Sequence, residues 1–386
     1  MIYIASDNII SPLGFSTSVN FEALKQMKSG VQRLEKTHLS NTPIYAALID
    51  DKKIDTTFQK INTTELYTKL EKLIILSVQD ALNKNSKLDI TSPKTLIILS
   101  TTKGNIDLLN GSSTSTIDQK RRFLWEIGNV IGKHFKNPNT PLIVSNACIS
   151  GVLALIIGKR LLEQNTFETI IACGVDTLTP FVVSGFQSFK AVSNEIAKPY
   201  DKARDGISLG EAAATIILTN KKRNLIPNSQ PVTIKGGASS NDANHISGPS
   251  RTGDGLCLAI NKTLKESNIQ PEAIDYISGH GTATLFNDEM EALAVNDANL
   301  QNVPMNSLKS YFGHTLGAAG VVESVIAIQS MRENTLIGTY NFDNLGVSKP
   351  INIISRTTPA TITTCLKTAV GFGGCNAAIV FQKEIN

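Results

Sequence analysis

Several short runs of this chain are apolar at nearly every position, and this restricts its fold more than any other feature. They are Thr95-Leu-Ile-Ile-Leu-Ser100, Pro141-Leu-Ile-Val144, Thr169-Ile-Ile-Ala-Cys173 and the stretch 213–218. A strand with one wet face alternates apolar and polar residues, whereas a run without alternation is covered on both faces. Before the first of these, residues 65–83 carry Leu66, Leu70, Leu73, Ile74, Ala81 and Leu82 at helical spacing, which predicts an amphipathic helix laid against the strand. Helix followed by a wholly apolar strand is the pattern of a parallel sheet sandwiched by helices, an α/β architecture.

With 386 residues, 41% of them hydrophobic and 18% charged, the chain is long enough to bury such a core in one large domain or two. The best internal break on composition is Thr219-Asn-Lys-Lys-Arg-Asn-Leu-Ile-Pro-Asn-Ser-Gln-Pro231, so the chain divides into halves 1–225 and 226–386. The second half repeats the alternation. Strands are expected at 232–238 and 275–278, helices at 256–267, 289–296 and 317–332, and two last strands at 368–371 and 377–381. In the first half, 104–115 reads as a polar surface excursion, followed by a helix over 118–135 that carries Trp125, the only tryptophan. Gly-rich motifs at strand ends in both halves predict a site between them.

The charge balance is mild, 37 Lys+Arg against 33 Asp+Glu, and the longest basic runs are Lys120-Arg121-Arg122 and Lys221-Lys222-Arg223, which gives little support for nucleic-acid binding. Five cysteines, an odd number with no CxxC pair, indicate neither a disulfide framework nor a zinc site and fit a reduced cytoplasm. No metal is expected. The start, Met1-Ile-Tyr-Ile-Ala-Ser-Asp7, reads as a first strand rather than a signal peptide, and no stretch approaches the ~20 apolar residues of a membrane span.

Chemistry is concentrated at Ser145-Asn-Ala-Cys148-Ile-Ser-Gly151, between the strand at 141–144 and a helix expected from about Cys148 to Gln164. A thiol at a strand-to-helix turn meets free backbone N–H groups and the positive end of the helix dipole, both of which favour the nucleophilic thiolate. The same residue also fits a small buried hydrophobe. Three stretches of the second half hold what a thiol enzyme needs. Gly279-His280-Gly281-Thr282-Ala-Thr284 sets an imidazole between glycines, 306–320 carries Lys309 and Gly313-His314 just before a helix, and Gly371-Phe372-Gly373-Gly374-Cys375-Asn376 is a flexible turn. Either histidine alone also fits a structural role, and Cys375 invites comparison with enzymes that use a second cysteine as base.

Together these stretches resemble the β-ketoacyl-acyl-carrier-protein synthases, the Cys-His-His condensing enzymes of the thiolase superfamily. The resemblance spans nearly the whole chain. It includes Ser11-Pro12-Leu13-Gly14, the Pro-Tyr-Asp-(x)3-Arg-Asp-Gly-(x)3-Gly-Glu segment at 199–211, Ser239-Ser-Asn-Asp-Ala-Asn-His245, Asn287-Asp288 with Glu291, and Glu323. Departures are Ile149-Ser150 after the nucleophile, Ser278-Gly279 before His280, and Ala283 between the two threonines. The resemblance implies a thiolase-like duplicated α-β-α-β-α five-layered fold that pairs through its first half, as a homodimer or with a second ketosynthase-like subunit.

It also implies decarboxylative Claisen condensation of an acyl thioester, carried on Cys148, with malonyl-ACP, in fatty-acid, polyketide or polyene synthesis. A chain-length-determining partner subunit is the alternative. By the same resemblance Cys148 is the nucleophile, His280 and His314 donate to the enolate oxygen, and Lys309 orients His314 through carboxylates such as Glu323. The backbone N–H groups of Cys148 and Phe372 form the oxyanion hole, Gly373 frees Phe372 to act as a gate, and Thr282 and Thr284 bind the pantetheine amides. Asp288, Glu291 and Glu323 support the site. No cofactor is implied beyond the phosphopantetheine arm of the acyl carrier protein, and Lys120, Arg121 and Arg122 are the expected docking cations for that acidic partner.

Overall fold

Alternate residues of the apolar strands enter different cores, which is why the strands show no polar face. A computed structural model describes residues 1–61, 64–110, 117–227, 229–242 and 248–384. Its largest sheet has five strands from each half: β1 (Ile2–Ile10), β2 (Thr95–Ser100), β3 (Leu142–Val144), β4 (Thr169–Asp176) and β5 (Ala212–Thr219), then β6 (Val232–Asn241), β7 (Tyr276–Ser278), β8 (Met305–Asn306), β9 (Thr364–Gly371) and β10 (Cys375–Lys383). They lie in the order β8-β7-β9-β10-β6-β1-β5-β4-β2-β3.

Counted in its own chain order, each set of five is arranged 3-2-4-5-1. In both sets the fifth strand is antiparallel to the first and the fourth, and the second is parallel to the third and the fourth. The two sets meet where β1 pairs with β6 at Ile2↔Ile234 and Tyr3↔Thr233. The fold is a duplicated unit.

The sheet is mixed, where the apolar runs predicted a parallel one. Lack of alternation reports that both faces are covered and carries no information about direction. Direction follows from the connections: β9 returns into β10 through Phe372, Gly373 and Gly374, a hairpin that only antiparallel strands can share.

The helices that position the site are α1 (Lys69–Asn83), α2 (Leu124–His134), α3 (Ser150–Glu163), α4 (Asp254–Ser267), α5 (Leu285–Asp297) and α6 (Ala319–Glu333). Leu96 and Ile98 of β2 pack with Val152 and Leu155 of α3 and Val325 of α6, while Ile97 and Leu99 face Leu73 and Ile74 of α1 and Ile131 of α2. On β10, Ala377, Ile379 and Phe381 join the same central core, and Ala378 and Val380 face Leu256 and Ile260 of α4. The layers are therefore α1 and α2, the first five strands, α3 and α6, the second five strands, and α4 and α5.

The starts of α1 and α2 differ from their sequence-based bounds for local reasons. The helix expected over 65–83 starts at Lys69 because Thr68 caps it, in a capping box with Glu71. The helix expected over 118–135 is interrupted: Asp118 caps a 3-10 turn Gln119–Arg122, Phe123 is extended, and α2 begins only at Leu124. The turn is anchored by Arg121, which donates to Leu66 O at 2.6 Å and pairs with the buried Glu71 at 3.1 Å. Residues 111–115 of the expected surface excursion lie outside the described residues.

In the middle layer α3 and α6 cross at glycines. A Cβ on Gly151 would lie 2.7 Å from Val321 N and 2.9 Å from Gly320 Cα, and one on Gly320 would collide with Val152 N. This contact brings the start of a helix from each half to one place. Gly151→Val is expected to destabilise the protein by about 1–3 kcal/mol, since backbone on the far side cannot retreat from the added methyls. A lowered thermal midpoint in that variant checks this, and an unchanged one would mean that the helices separate without cost.

Candidate active site

The nucleophile turn is built between the end of β3 at Val144 and the start of α3 at Ser150. Its Ala147 has φ +44°, a conformation that L residues with a Cβ adopt only under constraint. Two contacts supply the constraint. Ser150 Oγ accepts from Asn146 N at 2.8 Å and donates to Ala147 O at 2.6 Å, closing the turn. From the other side Gly371 lies against it, where a Cβ would stand 3.0 Å from both Ala147 Cβ and Cys148 N.

Cys148 Sγ is buried, 3.1 Å from His314 Nε2. His314 Nδ1 accepts from Leu316 N at 3.3 Å, which assigns the ring proton to Nε2 and makes that N–H a donor toward sulfur. Burial pushes the Cys148 thiol up to about 11, against the opposing pull of the Lys309 and Lys103 charges. The resting group is thus a thiol, not the thiolate expected from the helix start. The helix begins two residues later than expected, at Ser150 with Ile149 as its cap, and desolvation outweighs what the helix end offers.

His280 follows β7, and its ring meets that of His314 edge-on, with centroids 5.3 Å apart and planes at 82°. Burial first, and the positive charge of Lys309 second, hold both imidazoles well below the usual histidine range, so both are neutral at neutral pH. His280 Nδ1 has no hydrogen-bond partner among the described residues.

The loop carrying His280 is held by carboxylates. Glu291 of α5 accepts from His280 N, Gly281 N and Tyr200 Oη at 2.7–2.8 Å, and from Thr368 Oγ1 at 2.7 Å. Asp288 accepts from Thr282 N, Ala283 N and Tyr200 N. Burial raises its carboxyl to about 6, against the hydrogen bond from Tyr200 N and the charge of Arg204. Asp288 and Glu291 thus both hold the backbone of the His280 loop. Tyr200 and Arg204, part of the 199–211 motif, were not singled out as site residues; each connects that segment to the His280 loop.

Lys309 is buried and paired with Glu323 Oε1, and Glu323 Oε2 lies 2.8 Å from Lys367 Nζ. No hydrogen bond joins Glu323 to His314 among the described residues, so the expected orientation of His314 through this carboxylate is corrected. Lys309 reaches both imidazoles by its charge instead. Lys367 escaped the sequence reading because one lysine in a β-strand carries no signal of complete burial.

These groups meet at a cavity of about 300 Å³ lined by Cys148, His280, His314, Thr282, Thr284 and Phe372 together with Phe186, Phe189 and Phe286. The two threonine hydroxyls are 2.9 Å apart. Phe372 is 40% exposed, stacked on Phe186 at 5.6 Å and edge-on to Phe189 at 5.6 Å, and Gly373 and Gly374 follow with φ of +87° and +72°. Cys375 does not line the cavity; its Sγ donates to Asn146 Oδ1 at 2.9 Å, which removes the comparison with a second-cysteine base.

Lys120, Arg121 and Arg122 are not part of the lining. Lys120 and Arg122 are exposed, whereas Arg121 is committed to Glu71. Residues 243–245 of the resembling motif lie outside the described residues. No cluster suited to a metal occurs among the described residues, and none of their helices is long and apolar enough to cross a membrane.

Residues 2–224 match the model of the beta-ketoacyl synthase N-terminal domain, and 232–343 that of the beta-ketoacyl synthase C-terminal domain. The chain belongs to the β-ketoacyl synthase family. As such it is a condensing acyltransferase. It is 27% identical to 3-oxoacyl-[acyl-carrier-protein] synthase 2 of Coxiella burnetii, over 99% of this chain and 98% of the relative. Among solved structures, the ishigamide ketosynthase/chain length factor superposes with a TM-score of 0.89 at 21% identity, covering 100% of this synthase and 99% of that chain. The ketosynthase ApeO in complex with its chain length factor ApeC from Xenorhabdus doucetiae gives 0.84 at 24%, over 99% and 98%. These likenesses show the thiolase-like fold.

A thiol held near 11 predicts the pH dependence of its own alkylation. Thiolate is the reactive form, so the rate at which iodoacetamide modifies Cys148, read by peptide mass, should rise about tenfold per pH unit through pH 7–10. A plateau below pH 8 would reveal a stabilised resting thiolate instead.

Proposed function

We propose that this synthase forms carbon–carbon bonds by decarboxylative condensation of an acyl thioester with malonyl-ACP. The observation that carries the reading is the meeting of Cys148 with two neutral imidazoles in one cavity, the His314 Nε2–H directed at sulfur. In the first step Cys148 Sγ attacks the acyl carbonyl, the acyl–pantetheine C–S bond breaks, and the thiol proton leaves on the departing pantetheine sulfur. The His314 N–H and the Lys309 charge stabilise the sulfur anion as it develops. The backbone N–H groups of Cys148 and Phe372 serve as oxyanion donors, and the close approach of Gly371 to Cys148 N supports that pairing.

In the second step the malonyl C–C bond breaks and carbon dioxide departs. The electron pair becomes an enolate whose oxygen takes hydrogen bonds from His280 and His314. A protonated imidazole would be costly here, and burial first, with the Lys309 charge second, keeps both rings neutral donors. In the third step the enolate carbon attacks the acyl-Cys148 carbonyl, the Cys148 C–S bond breaks, and the sulfur leaves as a thiolate that takes a proton from solvent to restore the thiol. Thr282 and Thr284 at the cavity wall suit the pantetheine amides, Phe372 the gate, and no cofactor is required beyond the carrier's arm.

The acidic carrier protein is the proposed donor partner, with Lys120 and Arg122 as docking cations. Pairing with a second copy, or with a ketosynthase-like subunit, is supported by the edge strand β3 with its 41% exposed Leu142 and by the exposed, stacked Phe123 and Trp125. The second reading, a partner that sets chain length, draws on the two solved ketosynthase and chain-length-factor pairs.

Incubation with acyl-ACP followed by intact mass separates the readings: an acyl adduct on Cys148 is expected, and its absence favours the partner role. Cys148→Ala should abolish chain extension while malonyl-ACP decarboxylation survives. His280→Ala and His314→Ala should each lose decarboxylation by roughly 10²–10³-fold and acyl loading far less. Equal losses in rapid-quench assays would point to a structural role. Lys120→Glu/Arg122→Glu, which spares the Arg121–Glu71 pair, should raise KM for acyl-ACP and leave turnover of a small pantetheine thioester unchanged; unaltered carrier kinetics would remove this patch from the docking surface.

A further inference from the structure

The condensation steps assign no contact to Lys367, yet it is completely buried in the middle of β9. Burying an ammonium is unfavourable unless every proton is used and a counter-charge is adjacent. Both conditions hold. Its Nζ donates to Ser278 O at 3.1 Å, to Gly279 O at 3.3 Å and to Thr368 O, and stands 2.8 Å from Glu323 Oε2. The three carbonyls match the three N–H groups of an ammonium, and the Glu323 carboxylate beside them offsets the burial that lowers this lysine from its ordinary value.

The acceptors are not a random set. Ser278 and Gly279 are the two residues before His280, Thr368 shares Glu291 with the His280 backbone, and Glu323 is the counter-ion of Lys309. We propose that Lys367 is a positioning residue of the condensing site: its ammonium ties Glu323 to the carbonyls of Ser278 and Gly279 and so fixes where the His280 ring begins. Glu291 holds the N–H side of the loop, and Lys367 holds the C=O side. Lys309 and Lys367 thus flank Glu323, beside the loop that carries His280. A neutral side chain of equal length would fill the same space without supplying this tie.

The proposal rests on the condensing reading, and its test separates the two. Lys367→Met keeps the apolar stem. It is expected to lower kcat for malonyl-ACP decarboxylation by about 10–100-fold, with KM for malonyl-ACP and the rate of acyl loading on Cys148 within about twofold of wild type. Hydrogen exchange read by mass spectrometry should accelerate in peptides spanning 277–284 and stay unchanged over 145–152. A simple packing role would lower loading and decarboxylation together, and that result, or full decarboxylation by a folded Lys367→Met, would overturn the proposal.

If Lys367→Met fails to fold, Lys367→Gln, which keeps an N–H donor without the charge and leaves the Lys309–Glu323 pair intact, is expected to show the same split between decarboxylation and loading. Full decarboxylation in a folded Lys367→Gln likewise overturns the clamp. A wild-type protein that decarboxylates nothing would sink the condensing reading while the exchange measurement still judges whether Lys367 holds the His280 loop.

Discussion

The active site depends on the backbone contact between Gly151 and Gly320. It lets the central helices α3 and α6, one from each copy of a duplicated unit, approach more closely than side chains allow. Cys148 precedes the first helix and His314 the second, so the glycine contact brings the two reactive residues together. Secondary anchors keep the register: Asp176 accepts from Gly317 N at 2.7 Å, and Ser100 Oγ donates to Gly317 O at 3.1 Å, so the ends of β4 and β2 in one half are bonded directly to the residues before the other half's helix α6. The arrangement is rigid because it is backbone against backbone.

Electrostatics within this frame run against each group's ordinary behaviour. Burial keeps the thiol protonated and both imidazoles unprotonated, while the formal charges sit one layer further out on Lys309, Glu323 and Lys367. The reacting groups are neutral and the fixed charges around them are not. Such a site develops charge only in the transition state, where surrounding dipoles and cations have most effect. The carboxylates Asp288 and Glu291 accept from backbone N–H groups of the His280 loop, and Glu291 also from the hydroxyls of Tyr200 and Thr368.

Much of this was legible in the sequence, and what was not has physical causes. The apolar runs announced two-sided burial, and the Gly-flanked histidines and the strand-to-helix cysteine announced the site, because local chemistry writes those signals. Strand direction was not legible, since it depends on loops such as 372–374. The break at Phe123 was hidden because Arg121 is drawn out of the helix by Glu71, about fifty residues away in sequence. A helix at Pro180–Ser188 was readable from the Thr179-Pro180 cap but was not expected; it carries Phe186, which stacks on Phe372. Lys367 had no signal, because only the fold tells a buried lysine from an exposed one. Burial of the thiol opposes the helix-start effect for a related reason: helix position is local information and desolvation is not.

The packing of Gly371 on Ala147 orders events in time as well as space. The strained turn that aims Cys148 is held by residues near the end of the chain, in the hairpin of β9 and β10. During synthesis the thiol emerges more than two hundred residues before its support. Until that hairpin docks, the turn at Ala147 is held by Ser150 alone, and Cys148 is not roofed by Phe372. The support of the nucleophile turn therefore forms only once β9 and β10 have joined the sheet.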